Sequence, residues 1–298
     1  MPFKNASESW SAPEIAPYDR AIAASLEQSF PPPAVVGIVN VTPDSFYDGG
    51  VNYRPDDAIA AARRMSAEGA ALVDVGGEST RPGSEGVSLD EELRRVVPVL
   101  EAVAGELRVS IDTSKAEVAR RALELGAVMV NDVTALRADP QLGEVVAESE
   151  AYLCLVHMRG EPRTMQLDPR YDDVVSEVAA FLEERLRFAT EAGIGEERVC
   201  LDPGIGFGKT VEHNVELIAR LDEIAALGRP ILVGASRKRF LGRILGDADA
   251  VTGPVSAGLA VAVVAYERGA SLFRVHEVRE HVEALTAARA VERARLSR

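Results

Sequence analysis

The chain has 298 residues, 47% of them hydrophobic, and carries 33 basic against 47 acidic residues for a formal charge of −14. That content can fill one large core, and the negative balance argues against nucleic acid or an anionic membrane as a partner. No run approaches the roughly 18 consecutive apolar residues of a membrane span, and an N-terminus with Glu8, Glu14 and Asp19 does not read as a signal peptide.

In chain order, residues 1–33 read as an N-terminal extension that ends in Pro31, Pro32 and Pro33 and holds the single tryptophan, Trp10. Residues 34–298 read as one domain. From residue 35 a pattern recurs about eight times: a short apolar run stops abruptly in polar, chemically capable residues. The run 35–39 stops at Asn40, 72–73 at Asp74, 109–111 at Asp112, and 129–130 at Asn131. Then 153–156 gives His157, 199–201 gives Asp202, 231–233 leads to Ser236, Arg237 and Lys238, and 272–273 to Arg274. Runs of this length, bounded by Gly and Pro, read as parallel strands buried on both faces. Ala, Leu, Glu and Arg at helical spacing predict helices over 56–69, 88–104, 115–126, 139–149, 171–193, 212–226, 252–269 and 277–293. Eight such units predict an α/β fold, a single (β/α)8 TIM barrel, with its site at the C-terminal ends of the strands. Cys154 and Cys200 lie mid-strand among aliphatics and read as small core residues of a protein in a reducing cytosol, so a cytoplasmic location is expected.

Two loops at that face, 43–50 and 80–86, are rich in loop formers and read as lids; Phe46 and Arg81 are unusual choices for a passive loop. Asp112, Asn131 and Asp202 end three strands and can converge in the barrel mouth, where two carboxylates need something to pair with. A flat heterocycle with an amino-amidine edge, a divalent metal, or capping of the following helices would each answer that need equally well. Beside them Arg237, Lys238, Arg274 and His276 form a basic group from the last two strands, where barrels frequently bind phosphate. Alternation sends Leu272, Arg274 and His276 to the barrel side, so two cationic side chains there call for an anion. The run from Gly204 to Lys209 fits neither the dinucleotide nor the P-loop spacing and reads as a flexible loop presenting Phe207. The four histidines lack zinc-site spacing, and no Ser or Cys sits at a nucleophile elbow. This profile suits a transfer in which the substrate brings its own leaving group, a phosphate.

The chain resembles the dihydropteroate synthase family. The resemblance is carried by Gly37-Ile-Val-Asn-Val-Thr-Pro-Asp-Ser-Phe-Tyr-Asp-Gly-Gly50, Asp74-Val-Gly-Gly-Glu-Ser-Thr-Arg-Pro-Gly83 and Ser110-Ile-Asp-Thr-Ser114. Asn131-Asp-Val133, Thr164-Met-Gln166, Asp202-Pro-Gly-Ile-Gly-Phe-Gly-Lys209, Ser236-Arg-Lys238 and Arg274-Val-His276 continue it. It implies an enzyme that transfers the 6-hydroxymethyl-dihydropterin carbon from diphosphate to the amine of p-aminobenzoate. Carried over, the pterin contacts fall on Asp112, Asn131, Asp202 and Lys238, the diphosphate contacts on Thr80, Arg274 and His276, and the Mg²⁺ ligand on Asn40. Phe46, Thr80, Pro82, Phe207 and Ser236 fall on the aminobenzoate side, with Arg81 a further substrate contact. Catalytic work falls on Asp112, Lys238, Arg274 and His276. A sulfonamide-bearing aniline is expected to take the aminobenzoate place. The helix near 255–266, apolar nearly all round, predicts a covering partner, and the resemblance implies a homodimer. Two further readings keep the same pterin floor: a non-catalytic pterin-binding paralogue, and a methyltetrahydrofolate-type corrinoid methyltransferase. The methyltransferase has no use for Arg274, His276 and the loop at Thr80.

Overall fold

Valine, isoleucine and leucine dominate the strands, and the strand residues are buried on both faces, as a sheet enclosed by helices requires. In the computed structural model, which describes residues 25–42, 54–79, 84 and 86–297, the elements alternate along the chain. They run α1 (Leu26–Ser29), β1 (Ala34–Asn40), α2 (Pro55–Ala67), β2 (Leu72–Gly76), α3 (Leu89–Val103), β3 (Val109–Asp112) and α4 (Ala116–Leu125). Next come β4 (Met129–Asp132), α5 (Leu142–Ala147), β5 (Tyr152–Val156), α6 (Val174–Glu191), β6 (Val199–Asp202), α7 (Val211–Ala219) and α8 (Leu221–Ala225). The chain closes with β7 (Ile231–Val233), α9 (Arg239–Ile244), α10 (Val255–Glu267), β8 (Ala270–Val275) and α11 (Val278–Leu296). The strands form a closed parallel barrel in sequence order, with β8 pairing back onto β1. The (β/α)8 expectation holds.

Side-chain alternation splits the core in two. Val35, Val39, Val73, Val75, Ile111, Leu153, Leu201 and Phe273 pack outward against the helices. Val36, Leu72, Met129, Cys154, Cys200, Leu232 and Leu272 fill the barrel interior. Residues 25–33 lie beneath that interior: Leu26 and Phe30 are fully buried in it, the Phe30 and Tyr152 rings meet edge to face at 5.7 Å, and Ser29 Oγ and Tyr152 Oη share a hydrogen bond of 2.6 Å. Helix starts carry their own chemistry. Ser88 and Asp173 accept from backbone N–H groups in the first turns of α3 and α6, and Thr210 forms a capping box with His213 on α7.

Several boundaries depart from the sequence reading. The segment 212–226 is two helices, because Arg220 leaves helical geometry at φ −114°, ψ 29°. A short helix, α9, fills part of the β7–α10 connection. Strand β2 runs on through Asp74 to Gly76 rather than stopping at Val73. Among the described residues no helix is long and apolar enough to cross a membrane.

Candidate active site

The parity that fills the barrel with Leu72, Ser110, Met129 and Leu272 also carries Asp74, Asp112, Asn131 and Arg274 inward one step further up. Asp112 and Asn131 are register partners on adjacent strands, and both are buried. Arg274 bridges two carboxylates: Nε donates to Asp74 Oδ2 and Nη2 to Asp112 Oδ2, each at 2.6 Å. The anion that the sequence reading asked for beside Arg274 is therefore supplied, for two of its five N–H donors, by the protein itself. Burial pushes the Asp112 carboxyl up to about 7 against the pull of Arg274. The same two carboxylates, against the cost of desolvation, hold the partly buried Arg274 guanidinium firmly charged. Asp74, absent from the sequence-predicted site, accepts from Ser110 Oγ at 2.6 Å and from Asn131 Nδ2 at 3.2 Å. Its signal was available: a carboxylate with the parity of Leu72, inside a buried strand. Asn131 Oδ1 is the one buried side-chain oxygen or nitrogen without a hydrogen-bond partner among the described residues.

Asp202, Lys238 and Phe207 meet on the opposite wall. Asp202 Oδ1 accepts from Gly204 N at 2.7 Å, and burial raises its carboxyl above the usual range although Lys238 opposes the shift. Lys238 Nζ donates to Ile205 O and lies 4.2 Å from the centre of the Phe207 ring. Burial brings its ammonium down to about 8, with Asp202 resisting. The loop from Gly204 to Gly208, expected to be flexible, is instead tied on every side. Lys209 Nζ, fully buried, reaches His157 Nδ1 at 2.8 Å and donates to Gly204 O at 3.0 Å and Phe207 O at 3.1 Å. Gln166 donates to Gly206 O, Tyr171 to Gly208 O, and Gly206 N to Asn214. Gly204 and Gly208 take φ of +68° and +64°, and a Cβ on them would lie 1.8 and 2.4 Å from the carbonyl oxygens of His157 and Arg159. Only glycine fits there. Burial, with the nearby lysine, holds His157 neutral, down to about 2.

On the β7–β8 side, Ser236 Oγ and His276 Nδ1 lie 3.1 Å apart, and His276 N donates to Ser236 Oγ at 3.2 Å. Arg237, left-handed at φ +58°, turns to Glu277, so its guanidinium pairs there. Asn40 flanks Gly76 with Asp112: a Cβ at Gly76 would lie 3.7 Å from Asn40 Oδ1 and 3.6 Å from Asp112 Oδ2. Among the described residues no three His, Cys, Asp or Glu side chains converge as a metal cage. One amide oxygen beside one carboxylate suits a hard cation that arrives with phosphate and keeps most of its waters. A second network, unexpected from sequence, stands behind Asp112. Lys115 pairs with Glu78 and with buried Glu92, which also accepts from Thr113 Oγ1 at 2.7 Å. Phe46, Thr80, Arg81 and Pro82 lie outside the described residues, as do the loop 43–50 and most of the loop 80–86 that the sequence reads as lids.

Residues 36–276 match the family model described as "Pterin binding enzyme". The chain is 47% identical over 269 residues to the dihydropteroate synthase of Escherichia coli K12, covering 89% of this chain and 93% of that protein. Among solved structures, a Yersinia pestis dihydropteroate synthase with a sulfonamide drug complex superposes with a TM-score of 0.82 at 43% identity, covering 88% of this chain and 94% of that one. A Xanthomonas albilineans dihydropteroate synthase with 4-aminobenzoic acid gives 0.79 at 47%, with the same coverage.

Proposed function

The chain belongs to the pterin-binding enzymes of the dihydropteroate synthase family and is a transferase, and from that premise we propose that it joins 6-hydroxymethyl-7,8-dihydropterin diphosphate to p-aminobenzoate, giving 7,8-dihydropteroate and pyrophosphate. The observation that carries this reading is the buried floor of Asp112, Asn131 and Asp202, with one amide oxygen left unmet. A fused ring with amino and ring N–H groups along one edge answers all three, and a carboxylate takes two parallel N–H bonds in fork geometry.

The chemistry follows from charge. The C–O bond to diphosphate adjoins an electron-rich ring, so it breaks heterolytically, the electron pair leaving with oxygen and a delocalised cation remaining. The carboxylates of Asp202 and Asp112 favour that cation. The three N–H donors of Arg274 that are not given to Asp74 and Asp112, together with His276, stabilise charge gathering on the departing diphosphate. Mg²⁺, held in part by Asn40, would supply Lewis-acid neutralisation of the diphosphate. The aniline nitrogen attacks as a neutral amine and afterwards loses a proton to solvent or pyrophosphate, so no strong general base is required. Phe207 and Ser236 border the aminobenzoate side, where a sulfonamide of the same shape competes. The apolar helix α10, which leaves Val264 41% exposed in the single chain, is the surface for a homodimer.

The test is pyrophosphate release by purified protein. Release with both substrates present, and not with either alone, supports the reading. Tight binding of the pterin diphosphate with no release in the presence of aminobenzoate overturns it in favour of a pterin-binding protein without this activity.

A further inference from the structure

Asp74 sits in the middle of β2, below the floor, with 1% of its surface exposed. Each of its oxygens is taken by the protein: Oδ1 by Ser110 Oγ at 2.6 Å, and Oδ2 by Arg274 Nε at 2.6 Å and Asn131 Nδ2 at 3.2 Å. Three donors of the protein thus occupy most of its acceptor capacity, and it has no surface to offer a ligand. A carboxylate bonded to three donors in this way only accepts, so the end of the Asn131 carboxamide that faces it must be the NH₂ group. The reverse orientation would set two oxygen acceptors against each other in a dry site, at the full cost of an unmet buried pair. The other end of the amide, Oδ1, is thereby turned away from Asp74. It is buried and has no partner.

We propose that Asp74 is a positioning residue that sets substrate specificity: by locking the Asn131 carboxamide in one orientation, it obliges the bound ring to present an N–H donor at that point. The inference rests on the pterin reading of the floor. Without Asp74 the amide turns freely and meets a donor or an acceptor with equal ease, so the site stops discriminating at this one position. Asp74→Asn, by contrast, keeps the lock. Its carboxamide oxygen takes the place of Oδ2, accepting from Arg274 and Asn131, while its NH₂ donates to the Ser110 hydroxyl.

Three probes read this out by calorimetry: 6-hydroxymethyl-7,8-dihydropterin, its 2-oxo analogue, which carries an acceptor in place of the 2-amino group, and the fully oxidised pterin, whose N8 carries a lone pair and no hydrogen. In the unmodified protein each missing donor costs roughly tenfold to a hundredfold in affinity. In Asp74→Ala the penalty for one analogue, the one whose missing donor faces Asn131, falls to about threefold or less, since a free amide can turn to suit either partner. The penalty for the other, whose donor meets a carboxylate, stays. Asp74→Asn restores both. Unchanged penalties in Asp74→Ala overturn the proposal, as does an Asp74→Asn protein that behaves like Asp74→Ala, which would assign the effect to charge on Arg274. Equal loss of both penalties overturns it too. If Asp74→Ala does not fold, the Asn131 side-chain amide signals of the unmodified protein decide. Hydrogens bonded to a carboxylate exchange slowly and shift downfield, and fast-exchanging, unshifted signals overturn the assignment. Wild-type protein that binds none of the three probes overturns instead the pterin reading beneath it.

Discussion

Asp202 shows how one atom can separate a structural role from a binding role. Its Oδ1 accepts from Gly204 N, and an asparagine there keeps that bond through its own oxygen. The NH₂ group then replaces the second carboxylate oxygen and faces ring donors, so Asp202→Asn should weaken pterin diphosphate binding by about 2–3 kcal/mol with the loop unchanged. Calorimetry giving equal affinity would confine Asp202 to the turn. The pH profile belongs to the same scale. Asp112, raised to about 7, offers a charged acceptor at both oxygens to ring N–H groups only when ionised, that is, above that value. Lys238, lowered to about 8, carries its charge only below that value. Both are in working form only between the two, so kcat/KM should follow a narrow bell, falling on the acid side with Asp112 and on the alkaline side with Lys238. Lys238→Arg should move the alkaline limb upward while the acid limb stays, because guanidinium does not deprotonate. A profile flat from neutral into acid would remove Asp112 as the group that sets the acid limb.

The loop from Gly204 to Gly208 carries Phe207 and anchors Lys238, and its shape depends on positive-φ glycines packed against carbonyl oxygens. Gly208→Ala must either leave the left-handed region or push on Arg159 O, which costs about 1–3 kcal/mol. The expected outcome is a lower denaturant midpoint together with a raised KM for aminobenzoate, and a variant with both unchanged would show that the loop yields easily. This is also where reading the sequence alone fell short. Glycines, read one residue at a time, suggest freedom, yet here they mark close approach, and the bonds that remove the freedom come from Lys209, Gln166 and Tyr171, distant in the chain or concealed in the motif. The barrel itself was legible because each buried run stops in a polar residue at one face, a local pattern. Asp112, Asn131, Asp202 and Arg274 were found by the same rule. Asp74 met the same rule, as the end of the run 72–73, but was not assigned to the site; β2 continues two residues beyond it, so it lies inside the strand rather than at its end. The break at Arg220 has no Gly or Pro to announce it; three carboxylates, Asp173, Glu216 and Glu223, gather around its guanidinium instead. The Glu78–Lys115–Glu92 cluster could not be read at all, since it joins three separate segments.

For the whole molecule, the apolar surface of α10 sets an expectation for assembly. Few of its residues are buried within one chain, and an outer helix without a polar stripe needs cover. Sedimentation at micromolar concentration should therefore give twice the single-chain mass, and Val264→Glu should shift it toward the single chain; a single-chain species in the unmodified protein would leave α10 without a role in pairing. The plug beneath the barrel carries a consequence of a different kind, one of timing. Leu26 and Phe30 fill the bottom of the barrel, and Ser29 is bonded to Tyr152, 123 positions later in the chain. Arg274 meets Asp74 across 200 positions. During synthesis the first of these segments emerges long before its partner, so the bottom of the barrel must close late, after the entropy of closing a loop of 123 positions has been overcome. Contacts made after the rate-limiting barrier slow unfolding rather than speed folding. Leu26→Ala should therefore raise the unfolding rate in stopped-flow denaturant jumps and leave the refolding rate within about twofold. A variant that refolds much more slowly would mean that the plug belongs to the nucleus. If it closes last, as its sequence separation implies, it acts as a latch whose strength sets how long the folded barrel survives rather than how fast it forms.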